Sequence, residues 1–132
     1  MKKIIYTWQE FDDDCKKLAR IYGSYEGLIR NIYGIGRGGL FVAIRLSYLL
    51  DIPIITEKKL ISRKTLIVND IFDDEKESKK ILSSKGYFSM ATLWKTEKQR
   101  ENPIVYQNIL NSNNEHIQFI WETKKLSRKL NG

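Results

Sequence analysis

Phe11, Cys15, Leu18, Ala19 and Tyr22 fall at i, i+4, i+7, i+8 and i+11, which is one face of an α-helix. Ahead of that stripe, Thr7-Trp8-Gln9-Glu10 places a hydroxyl three residues before a carboxylate, the spacing of a capping box, and Gly23 ends the pattern. Cys15 lies on the apolar face, so it reads as a core residue and not as a nucleophile. Ile32-Tyr33-Gly34-Ile35 is a short apolar run that stops at Gly36-Arg37-Gly38-Gly39. Leu40 to Leu50 then reads as a buried helix with Leu40, Phe41, Ala43, Ile44, Leu46 and Leu50 inward. Ile52-Pro53-Ile54-Ile55 predicts a strand near a sheet edge, because proline cannot donate to a ladder. Leu66-Ile67-Val68 predicts a buried strand that ends in Asn69-Asp70. Ser78 to Lys85 reads as a short helix closed by Gly86, and Phe88 to Trp94 and Ile117 to Trp121 as two more strands. Glu97 to Asn114 is polar and reads as irregular, and the tail after Glu122 as helical or frayed.

Strands alternating with helices predict a single α/β domain over residues 1–132, with a Rossmann-like, mainly parallel sheet flanked by helices. Ligands in such sheets bind beyond the carboxyl ends of the strands. The chemistry is therefore expected just after Ile35, Val68, Trp94 and Ile120.

Composition narrows the class. A hydrophobic content of 42% is too high for a disordered chain, and 8 glycines with 2 prolines do not fit a low-complexity one. One cysteine argues against a disulfide scaffold or zinc ribbon, and one histidine against a histidine metal site or a Ser-His-Asp triad. No apolar run reaches ~18 residues, so no membrane span is expected. The start, Met1 to Tyr6, turns polar too soon for a signal peptide. The expectation is a cytoplasmic protein without a membrane partner. The net charge of +7 suits a polyanionic or phosphorylated ligand. It is dispersed, however, and interrupted by Asp12-Asp13-Asp14 and Asp73-Asp74-Glu75. Solvated faces account for it more simply than nucleic acid does.

Three strand ends carry candidate chemistry. Glycines between a strand and a helix expose N–H groups to a phosphate, and Arg37 adds a bidentate positive charge. Read literally, Gly34 to Gly39 also fits the dinucleotide fingerprint G-x-G-x-x-G, with Glu57 about twenty residues on. A tight turn needing glycine is the structural alternative. Asn69 and Asp70 carry groups able to grip a ribose diol. Asp73-Asp74-Glu75 also suits a helix N-terminus favoured by the dipole. Lys95 follows Trp94 at a strand end, where a lysine is either solvated or directed at a ligand.

Tyr6-Thr7-Trp8, Tyr33-Gly34-Ile35-Gly36-Arg37-Gly38-Gly39-Leu40, Leu66-Ile67-Val68-Asn69-Asp70-Ile71-Phe72-Asp73 and Phe119-Ile120-Trp121-Glu122 occur in that order. Together they resemble the type I phosphoribosyltransferases, most closely the small xanthine/guanine (purine) type, over about Ile5 to Glu122. The resemblance implies the phosphoribosyltransferase fold, with a reduced hood and a short flexible loop at Glu57 to Lys64. It also implies a substrate pair of phosphoribosyl pyrophosphate (PRPP) and a purine base or nucleotide, a Mg²⁺ cofactor, and a homodimer.

Carried over residue by residue, Gly36, Arg37, Gly38 and Gly39 match the pyrophosphate loop. Asn69 and Asp70 match the acidic pair on the ribose hydroxyls, with Asp70 the candidate metal ligand. Asp73 matches the carboxylate near the purine N7, a general acid or base. Asp73, Asp70 and Arg37 are thus the catalytic candidates. Asp74, Glu75, Lys76, Glu77 and Ser78 fall on the 5′-phosphate loop. Lys95 matches the lysine that reads the 6-oxo group. His116 falls where the family stacks an aromatic ring on the base, followed by Ile117 with backbone contacts.

The departures are concentrated on the PRPP half. Asn69 replaces the first acid, Glu75 a glycine and Glu77 a threonine, and Ile120 stands where the family has a proline before Trp121. A catalytically weak homologue that binds a nucleotide or a protein partner in a regulatory role is therefore the alternative to a working transferase.

Overall fold

Thr7 caps the first helix as its spacing predicts. Its hydroxyl accepts from the Glu10 N–H at 3.2 Å, and the Glu10 carboxylate accepts from the Thr7 N–H at 3.3 Å. In the computed structural model, which describes residues 1–24, 27–72, 89–97 and 104–122, strand β1 (Lys2–Tyr6) leads into this helix, α1 (Trp8–Gly23). Then follow β2 (Asn31–Gly34), α2 (Gly36–Leu50), a 3₁₀ turn (Lys58–Leu60), β3 (Thr65–Phe72), β4 (Ser89–Thr96), β5 (Ile104–Leu110) and β6 (Glu115–Phe119).

The four strands β2-β3-β4-β5 form one parallel sheet in that order, and β1 pairs with β6, also parallel, in a second. The α/β class and the mainly parallel sheet are as predicted. The second sheet is not anticipated as a separate pairing.

The main core lies between the four-stranded sheet and the two helices. Phe11, Cys15 and Leu18 of α1 and Val42, Ala43 and Leu46 of α2 meet Ile32, Leu66, Val68, Ala91 and Leu93 there. Cys15 is fully buried, as read, and burial pushes its thiol pKa up to about 12. A smaller core on the opposite face gathers Tyr33, Ile35, Ile61, Ile67, Phe72 and Met90.

A buried polar cluster ties the two sheets to α1. The Tyr6 hydroxyl donates to Asp14 Oδ2 at 2.6 Å, and Asn108 Nδ2 donates to the same oxygen at 2.9 Å. Burial, followed by that hydrogen bond to a carboxylate, raises the Tyr6 pKa far above its ordinary value. Asp12 sits at the α1–α2 seam, where Arg45 and then Lys16 hold its carboxyl below the usual range.

The structure corrects several expectations. Gly36-Arg37-Gly38-Gly39 is the first turn of α2 and not a loop ahead of it, with only Ile35 between strand and helix. The buried face of α2 is Gly39, Val42, Ala43 and Leu46, whereas Leu40, Phe41 and Ile44 are exposed. Close packing of Gly39 on β3 sets that rotation, and residues one position away turn about 100° off the contact.

Asn69 and Asp70 lie inside β3, which continues to Phe72. The polar stretch Glu97 to Asn114 contains β5, whose apolar residues are interrupted by Tyr106, Gln107 and Asn108 as befits an edge strand. The last strand begins and ends two residues earlier than read. The stretch Ile52–Ile55 forms only a single bridge to Ile32. Its hydrogen bonds use the Pro53 carbonyl and the Ile55 N–H, leaving the proline nitrogen out. Glu57–Lys64, expected to be flexible, folds around the 3₁₀ turn and buries Ile61 in the smaller core. The Ser78–Lys85 helix lies outside the described residues.

Candidate functional site

The first turn of α2 is pressed onto the carboxyl end of β3. The Ile35 N–H donates to the Val68 carbonyl at 2.9 Å. A Cβ on Gly39 would stand 2.8 Å from that same carbonyl oxygen, and one on Gly34 would stand 2.6 Å from the Gly39 carbonyl. A Cβ on Gly38 would fall inside the Asp70 carboxylate. Gly36 alone among these four has a left-handed backbone, with φ +63°, which lets the chain enter the helix directly from the strand. The glycines thus serve close approach more than turning. Arg37, between Gly36 and Gly38, is exposed at the helix N-terminus, where N–H groups lack intrahelical partners.

Asn69 is buried, and its Oδ1 accepts from the Asp70 N–H at 2.9 Å. Asp70 Oδ1 in turn accepts from the Ile71 N–H at 2.8 Å. Here the strand loses its regular alternation. Val68 faces the main core and Asp70 faces α2, yet Ile71 also packs on the main core and Phe72 joins the smaller one. In β4, Leu93 and Trp94 likewise both join the main core. A phase shift at strand ends re-aims the side chains beyond it. With strict alternation Lys95 would follow Ala91 and Leu93 toward the helices. The shift turns it to the opposite face, where it is paired in register with Phe72. Its ammonium lies 4.2 Å from the centroid of the Tyr106 ring.

The structure therefore brings together Gly36, Arg37, Gly38, Gly39, Asn69 and Asp70. Lys95 stands at the neighbouring strand end, on the other face of the sheet. His116 is exposed on β6, opposite Lys3 of β1, and the Ile117 side chain belongs to the main core. Asp73, Asp74, Glu75, Lys76, Glu77 and Ser78 lie outside the described residues. Sequence reasoning missed Tyr106, because β5 was read as irregular. The run of β-formers Ile104-Val105-Tyr106, followed by Ile109-Leu110, was the available signal.

Among the described residues no group of three or more His, Cys, Asp or Glu is placed to hold a metal. Asp70 offers one carboxylate, one oxygen of which already accepts from Ile71. That donor set does not make a protein cage. It fits Mg²⁺ held chiefly by substrate phosphate oxygens and water, with one carboxylate from the protein.

The backbone is shared with solved transferases. A purine phosphoribosyltransferase from Pyrococcus horikoshii superposes with a TM-score of 0.76 at 24% identity, covering 96% of this chain and 99% of that one. The fold is that of the phosphoribosyltransferases. The Helicobacter pylori xanthine-guanine-hypoxanthine phosphoribosyltransferase has the same phosphoribosyltransferase fold, with TM-score 0.70 and 17% identity over 91% of this chain and 93% of that one. A hypothetical protein from Neisseria gonorrhoeae with bound ppGpp superposes with TM-score 0.66 and 17% identity over 92% of this chain and 90% of that one. No protein-family model matches the sequence, and no curated protein is significantly similar to it.

Proposed function

We propose that this protein transfers the phosphoribosyl group of PRPP to a 6-oxopurine base and releases pyrophosphate. The observation that carries this reading is the packing of Arg37's glycine turn against Asn69 and Asp70 at the carboxyl end of β3. A polyphosphate donor group and a sugar-gripping pair lie side by side there, as the transfer needs. The solved structures of this fold named above support the same chemistry, two of them being named for it.

In the reaction the bond between ribose C1′ and the pyrophosphate oxygen breaks, and a bond from C1′ to a purine nitrogen forms. Arg37 and the N–H groups of the α2 first turn take the charge growing on the leaving pyrophosphate. Asn69 and Asp70 hold the ribose hydroxyls and fix C1′ toward the base. Asp73 exchanges the proton of the attacking ring, as the family resemblance implies. With the base reaching over the carboxyl edge of the sheet, Lys95 on its far face donates to the 6-oxo group, His116 stacks on the base, and Ile117, its side chain in the core, contacts the base through its backbone. Asp70 would be the protein ligand of a Mg²⁺ ion bound with PRPP, and that ion would supply charge neutralisation for the pyrophosphate.

A second reading is favoured by Asn69, which is neutral where the family places an acid. On that reading the chain binds PRPP or a nucleotide with little turnover. Calorimetry with PRPP and magnesium tests what the two share. Arg37→Ala is expected to weaken pyrophosphate or PRPP binding by about 1.5–3 kcal/mol, the scale of a hydrogen bond to a charged group. Unchanged affinity removes both readings.

The homodimer is part of this proposal. Leu40, Phe41, Ile44 and Tyr48 line one exposed side of α2, an apolar stripe suited to a second copy. Ile44→Glu is expected to yield a monomer in sedimentation. A cytoplasmic setting belongs to the same reading, and no described helix is long and apolar enough to cross a membrane.

A further inference from the structure

We propose that Tyr106 is a positioning residue for Lys95 and thereby a determinant of base specificity, an inference that rests on the reading of Lys95 as the group that meets the 6-oxo carbonyl. Lys95 is half-buried at the end of β4, and its ammonium lies 4.2 Å from the centroid of the Tyr106 ring. The two come from neighbouring strands in fixed register. Thr92 pairs with Tyr106 and Lys95 with Ile109, so the lysine side chain leans back along the sheet to reach the ring.

A lysine at a strand end has four flexible methylenes and a strongly hydrated head. An aromatic face attracts a cation through its quadrupole and removes part of that freedom. The ring is an acceptor surface on one side of the ammonium only, so the remaining N–H donors are left for a carbonyl acceptor. Among the described residues no carboxylate is paired with Lys95 at salt-bridge distance. The ring thus holds the charge without neutralising it, which a carboxylate would do. This supports selection for a carbonyl acceptor over the exocyclic amine of adenine.

The test is a double-mutant cycle on guanine and adenine, read as KM for each base and, separately, as PRPP affinity. Tyr106→Leu is expected to raise KM for guanine roughly 2- to 5-fold, the factor that corresponds to about 0.5–1 kcal/mol at a partly exposed site. It is expected to leave PRPP affinity unchanged. Tyr106→Phe keeps the ring and is expected to stay within about twofold of the parent. In a Lys95→Ala background Tyr106→Leu is expected to have no further effect. Equal losses from Tyr106→Leu with and without Lys95 would make the ring merely structural and overturn the proposal, as would failure of Tyr106→Phe to rescue. If Lys95→Ala leaves guanine KM unchanged, the reading of Lys95 fails and the proposal falls with it. If Lys95→Ala weakens guanine and Tyr106→Leu does not, only the role of Tyr106 fails.

Discussion

The Asp70 carboxylate fills the space that a side chain on Gly38 would need. The contact joins the first turn of α2 to β3, and it joins the proposed pyrophosphate and ribose subsites. Gly38→Ala therefore has to push Asp70 aside or lift the helix from the strand. Overpacking of this kind costs about 1–3 kcal/mol. The expected outcome is a lower melting temperature together with a loss of PRPP affinity of at least tenfold. Chemical unfolding and calorimetry on the same variant check it, and an unchanged PRPP affinity would separate the two subsites.

The polar cluster under α1 gives a second expectation. Asp14→Ala leaves the Tyr6 hydroxyl and Asn108 without the oxygen they share, and hydrogen bonds to charged groups are worth about 1.5–3 kcal/mol. Tyr6→Phe is expected to cost less, because Asn108 still serves the carboxylate. Urea midpoints in the order parent, Tyr6→Phe, Asp14→Ala, from most to least stable, bear this out; the reverse order contradicts it.

Alkaline pH is expected to destabilise the fold. Cys15 and Tyr6 are both neutral when protonated, and burial raises both pKa values. In the unfolded chain they ionise near their ordinary values, roughly 9 and 10. Above those values the folded chain keeps protons that the unfolded one loses. Stability then falls by at most ~1.4 kcal/mol per pH unit for each group. The Cys15 part runs from roughly pH 9 to about 12, and the Tyr6 part begins near pH 10. Cys15→Ala removes the earlier part. Denaturant midpoints at successive pH values read this directly, and a parent midpoint unchanged up to pH 11 is the contrary result.

Geometry was legible in the sequence where spacing carries it and illegible where sheet irregularity does. The capping box at Thr7, the buried face with Cys15, and the adjacency of the glycine turn to Asn69-Asp70 all follow from local chemistry and the rule on strand ends. The rotation of α2 was misjudged because Leu40, Phe41, Ile44 and Tyr48 are as apolar as the residues it buries. The glycine contact with Val68 and the packing on α1, with its Arg45–Asp12 pair, decide which side faces in. The face of Lys95 was out of reach as well. It depends on a shift of phase at Asp70-Ile71 and Leu93-Trp94, which no periodicity announces. Tyr106 was hidden with β5, an edge strand whose polar middle reads as a loop.

The 5′-phosphate segment gives an expectation from residue chemistry. Glu75 and Glu77 stand where the family resemblance asks for a glycine and a hydroxyl. PRPP is expected to bind the parent weakly, at about −5 kcal/mol, in the high micromolar range or worse. The combined change Asp74→Thr, Glu75→Gly, Glu77→Thr is expected to tighten it at least tenfold, roughly 1.4 kcal/mol. Calorimetric titration decides. No gain in the triple variant would move the defect to Asn69 or to the shortened Glu57–Lys64 segment.

The central claim is the transfer of phosphoribosyl to a 6-oxopurine, and incubating the protein with PRPP, magnesium and each of hypoxanthine, guanine, xanthine and adenine tests it most directly. Chromatographic detection of the nucleoside monophosphate from at least one 6-oxopurine, with adenine unreacted and product abolished in Arg37→Ala, is the predicted result. No nucleotide from any base, or adenine used as readily as guanine, would contradict it.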